Sequence, residues 1–131
     1  MTVGFFPAFE PRLAVTYEGD GASLFHHAAI LDALAEESGF PLLSSFTDER
    51  EPPPDFDGYP EELADAIGPW NEWFSPEDGL RCVEGLLEAL EQPEVRARVP
   101  MVDVVIEDLD ALQGVLVIAK QKKVRFRLEL A

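Results

Sequence analysis

An unbroken alternation closes the chain: Val124-Arg-Phe-Arg-Leu-Glu-Leu130 sets apolar against charged side chains at every step. A period of two puts Val124, Phe126, Leu128 and Leu130 on one face and Arg125, Arg127 and Glu129 on the other, which predicts a half-exposed strand. Upstream the period changes. Leu24, Phe25, Ala28, Leu31 and Leu34 or Ala35 recur at helical spacing behind Ser23, a candidate N-cap, and end at Gly39, which suits a left-handed C-terminal residue. A first helix is predicted there.

Ser75-Pro76-Glu77-Asp78 predicts a second helix start, with a serine cap, proline in the first position and acids in the first turn. Asp78 completes an approximate capping box, and Phe74 stands where half of a hydrophobic staple would. Leu80, Val83, Leu86, Leu87 and Leu90 follow on one stripe, with Glu84, Glu88 and Glu91 on the other side. A third helix is expected from near Asp108 to Lys122, with acids at its N-terminal end and lysines at its C-terminal end. Val95–Val99 suggests a short turn, and Val102–Ile106 reads equally as a strand or a buried lead-in.

The N-terminal segments Thr2–Phe6 and Arg12–Tyr17 read as two short extended pieces interrupted by Pro7 and Pro11. Proline lacks a ladder donor, so at least one piece must lie at an edge or a bulge. The expected fold class is α+β: a small antiparallel or mixed sheet containing the N- and C-terminal strands, packed with about three helices. One domain over residues 1–131 is expected. It carries a proline-rich acidic surface loop over about residues 41–60, with short helical character returning near Glu61–Ile67.

Charge then narrows the partners. The chain holds 26 acids and 10 bases, a formal net of −16. Residues 1–119 carry 25 acids and 5 bases, whereas residues 120–131 carry Lys120, Lys122, Lys123, Arg125 and Arg127 against Glu129. A body of that sign repels nucleic acid, anionic membrane and anionic metabolites and attracts cationic surfaces. Apolar content of 47% with nine phenylalanines argues for a folded core rather than disorder. A single cysteine, Cys82, permits no internal disulfide. With no secretory pattern and no apolar run of about 18 residues, a cytoplasmic location is expected.

No sequence pattern calls for a catalytic group, a metal or a cofactor. His26 and His27 are adjacent, and neighbouring helical residues diverge by roughly 100°, so the pair does not readily ligate one ion. Asp55-Phe56-Asp57-Gly58 begins like a calcium loop, but Ala66 stands where the terminal bidentate glutamate belongs. Cys82 lies within an amphipathic pattern and reads as a small core residue.

The sharpest binding constellation combines the acids Asp48, Glu49, Glu51, Asp55, Asp57, Glu61 and Glu62 with the aromatics Phe56, Tyr59, Trp70 and Trp73. Carboxylates around exposed rings suit Arg and Lys through charge pairing and cation–π contact. The first reading of the Trp70-to-Phe74 aromatics is nonetheless a core plug that seats the second helix, with exposure of part of the cluster as the alternative. The closing segment, DLDALQGVLVIAKQKK running into VRFRLEL, is similar to the helix-to-strand ending of small acidic toxin inhibitors of the barstar type. That similarity covers residues 108–130 and assigns no residue a role. The expected function is a non-enzymatic protein that binds a basic protein partner, of inhibitor or immunity type. The alternatives are a small metal-dependent or carboxylate-using hydrolase and a homo-oligomeric structural protein. Monomer and homodimer are both open.

Overall fold

A computed structural model of the chain describes residues 4–15, 17, 19, 21–47 and 72–130. In chain order these form strand β1 (Phe5–Glu10), helices α1 (Ala22–His26) and α2 (Ala28–Ser38), a 3-10 turn at Leu43–Phe46, helices α3 (Pro76–Ala89), α4 (Pro93–Arg96) and α5 (Val102–Lys122), and strand β2 (Arg125–Leu130). The class is α+β, with the N- and C-terminal strands in one two-stranded antiparallel sheet and α2, α3 and α5 as the long helices.

β1 runs straight through Pro7, so the expected interruption at that residue is wrong. The register explains why: Pro7 pairs with Leu128 and Phe9 with Phe126. Phe126 donates its N–H to the Phe74 carbonyl at 2.9 Å and its carbonyl accepts the Phe74 N–H at 2.8 Å, on the side away from β1. Phe9–Phe126 is therefore a non-hydrogen-bonded pair, and by alternation so is Pro7–Leu128. The missing proline N–H falls on the outer edge of β1, where the ladder does not need it. Arg12–Tyr17 was the second expected strand, and its described residues form none.

The helix expected from Ser23 to Gly39 is two helices with a break at His27, whose φ of −108° and ψ of 13° leave the helical range. The His27 ring nitrogen Nδ1 lies 2.8 Å from the Ser23 carbonyl oxygen. Gly39 ends α2 at φ 81° as anticipated. Ser23 is not the cap. Gly21 is, at φ 77°, and a Cβ there would stand 2.3 Å from the Phe5 carbonyl oxygen, so only glycine lets α1 start against β1.

Helix α3 begins as its sequence requires, with the Asp78 N–H donating to Ser75 Oγ at 3.2 Å. Such a cap contributes about 1 kcal/mol. No staple forms, because its partner position is Gly79, where a Cβ would meet the Phe126 ring at 2.5 Å. Phe74 packs instead on Phe46 and Phe126, with ring centroids 5.4 and 6.4 Å away.

The expected start of the last helix at Asp108 is also corrected. α5 begins at Val102, because Val102, Val105, Ile106, Leu109 and Leu112 share one helical stripe that continues into Leu116 and Ala119. The strand reading of Val102–Ile106 is thereby excluded. The core lies between α3 and α5 and extends under β2, around Leu24, Leu31, Leu43, Leu86, Leu109, Leu116, Phe126 and Leu128. Each such side chain contributes about 1.5–3 kcal/mol by leaving water.

Candidate functional site

Of Trp70, Trp73 and Phe74, just before α3, the last two fall among the described residues, and the chain sends them opposite ways. The backbone bridge to Phe126 turns Phe74 inward, so the plug reading holds for that ring. Trp73, one residue earlier, is half-buried and lies over Arg127, whose guanidinium carbon is 4.2 Å from the ring centroid. Arg127 Nε also donates to Glu129 Oε2 at 2.8 Å, and the Arg127 side chain is only 17% exposed. Stacking and ion pairing together fix this arginine. Ala8 faces Arg127 across the ladder, Phe6 faces Glu129, and the Phe6 ring meets Tyr17 edge-on at 6.1 Å. The outer face of the sheet is thus an aromatic and ionic surface with its groups held in place.

The helices present the acids. Glu84 and Glu88 are exposed along one side of α3 and Glu91 in the turn that follows it, Glu36 and Glu37 lie on α2, and Asp103, Glu107 and Asp110 lie on α5. Three ion pairs offset part of this charge: Arg81 with Asp78 at 3.7 Å, Arg96 with Asp103 at 3.2 Å and Arg98 with Glu37 at 3.0 Å. Among the described residues no cation comes within ion-pair distance of Glu84, Glu88 or Glu91. That row of negative charge is open to solvent.

Most of the sequence-predicted constellation lies outside the described residues: Asp48, Glu49, Glu51, Asp55, Phe56, Asp57, Tyr59, Glu61, Glu62 and Trp70. Trp73 alone is placed. The calcium-like Asp55–Gly58 run and the helical character expected at Glu61–Ile67 lie outside as well.

His26 is exposed, and its ring packs against Phe25 at 5.4 Å. His27 is occupied by the Ser23 carbonyl. Among the described residues no group of three His, Cys, Asp or Glu side chains could hold a metal ion. Cys82 is fully buried, and burial first, with the Asp32 charge second, pushes its thiol up to about 12 from 9.0. A thiol in that state is not a nucleophile near neutral pH. No helix of the described residues is long and apolar enough to cross a membrane.

One polar centre escaped the sequence reading. Asp108, 3% exposed, accepts hydrogen bonds from the Gly21 N–H at 3.1 Å and from the Ser23 hydroxyl. The sequence places it among the acids at the N-terminal end of the last helix, yet it sits nearly two turns inside α5 and ties it to the start of α1. The signal was present, because Asp108 falls between Val105 and Leu112 on the buried stripe, where an unpaired carboxylate would be costly. No family model matches the chain, and neither a curated protein nor a solved structure matches it.

Proposed function

We propose that this chain is a non-enzymatic interaction protein that binds a basic protein partner, as an inhibitor or immunity-type protein does. The observation that carries this reading is a net charge of −16 combined with the open carboxylates Glu84 and Glu88 on α3 and Glu91 just past its end. Charges left unpaired on one helix face act at a distance: they raise the encounter rate with a cationic surface and orient it. Trp73, held against Arg127, supplies a rigid aromatic of the kind that anchors interfaces. The acids of residues 48–62 add to the field whatever their position, since steering depends on summed charge.

The test is capture from source-cell lysate at low salt with salt-gradient elution, followed by association kinetics with the protein recovered. A single basic protein in one-to-one ratio is expected. Replacing Glu84, Glu88, Glu91, Asp55 and Asp57 with their amides should slow association at least tenfold at low salt while dissociation changes about twofold. Nonspecific basic proteins alone, or unchanged association rates, would overturn the proposal.

A further inference from the structure

One end of the molecule breaks with the charge of the rest. Lys120 and Lys122 close α5, Lys123 follows, and Arg125 opens β2. Lys120, Lys123 and Arg125 line an open cleft of ≈ 210 Å³ whose opposite wall is Ser75, Pro76 and Glu77 at the start of α3. In so acidic a chain cations find partners readily. Arg81, Arg96, Arg98 and Arg127 each have a carboxylate oxygen within 3.7 Å. Among the described residues, no carboxylate comes within ion-pair distance of Lys120, Lys123 or Arg125. Even Glu10, opposite Arg125 in the register, makes no such pair with it.

The backbone adds a second observation. Lys123 takes φ 58° and ψ 40°, the left-handed position after a helix where glycine is the unstrained choice. Lys123 stands at that position and lines the cleft. The cations carry the inference rather than the helix end, since Pro76 has no N–H and Ser75 already receives the Asp78 N–H.

We infer that this cleft binds a phosphate dianion, either free or as the monoester of a small molecule. Two ammonium groups and a guanidinium offer donors only, and a dianion takes charge-assisted hydrogen bonds from all three. The rest of the chain sets the size limit. A polyanion would extend past the cleft onto surfaces of opposite preference, whereas one phosphate stays within about 8–10 Å of the three cations, inside the screening length. Glu77, on the facing wall, opposes binding and tunes it downward.

The test is amide NMR of the full chain titrated with inorganic phosphate and with glycerol phosphate, at constant ionic strength and a pH above the phosphate pKa of about 6. Saturable shifts are expected at Glu77, Lys123 and Arg125. Lys120→Gln with Arg125→Gln should weaken binding at least tenfold, and Glu77→Gln should tighten it severalfold. Lys123→Gly should raise the melting temperature yet weaken binding, which separates lost affinity from lost folding. Tighter binding of the monoester would assign the cleft to an esterified small molecule, and equal binding to the free anion. Linear shifts that persist in the double variant, or an equal response to chloride, would overturn the inference.

Discussion

Cys82 shows how placement decides the chemistry of a side chain. It sits on the buried stripe of α3, and desolvation, reinforced by the Asp32 charge, disfavours its thiolate. In the unfolded chain the thiol ionises near 9.0, whereas in the folded chain it holds its proton to about 12. Because the native value is raised, the stability linked to this group is complete below pH 9 and is lost as pH rises toward 12. Urea midpoints measured at pH 8 and pH 10.5 should therefore fall further in the wild type than in Cys82→Ala, and equal falls would contradict the assignment. Trp73 and Phe74 make a related point. They are adjacent and both aromatic, yet backbone pairing with Phe126 sends one ring inward and leaves the other on Arg127.

Between elements, one carboxylate does what several apolar contacts could not. α1 is five residues long and has no side-chain cap of its own. Asp108 reaches from α5 to the Gly21 N–H and the Ser23 hydroxyl, fixing the turn from which α1 starts. Removing it leaves buried donors without an acceptor. Asp108→Ala should therefore cost about 2–4 kcal/mol in urea unfolding, with Asp108→Asn recovering part of it. A loss under about 0.5 kcal/mol, the range of ordinary surface changes, would show that the contact is incidental. The long helices depend less on such devices, because α3 and α5 carry their own apolar stripes and bury them against each other.

Across the whole molecule the charge has a direction. The start of α3 and the end of α5 meet at the Lys120–Arg125 cleft, and the far ends of the same helices carry Glu88, Asp103 and Glu107, with Glu91 just beyond α3. From Asp103 to Lys120, α5 separates the two poles by roughly 25 Å at 1.5 Å per residue. With 26 acids the folded chain repels itself, and salt screens that repulsion. Raising NaCl from about 10 to about 150 mM should raise the melting temperature, and by less in Glu84→Gln/Glu88→Gln/Glu91→Gln. A flat or falling response in the wild type would mean that ion pairs outweigh repulsion.

The sequence by itself determined the closing strand, the capped start of α3, the left-handed end at Gly39 and the α+β class. These are local matters, in which period and capping chemistry act within a few residues of one another. The charge of −16 was equally legible, because it needs no coordinates. Only the tertiary structure decided that α5 reaches back to Val102, that β1 passes through Pro7, that Asp108 serves α1 and that three cations share one cleft. Each of these depends on an element distant in the chain: α3 packed on α5, β2 beside β1, the start of α1 at Asp108, and Ser75–Glu77 across from the cations. The free energy that settles them, of a buried stripe, a vacant ladder position or a desolvated carboxylate, exists only once the partner element is in place.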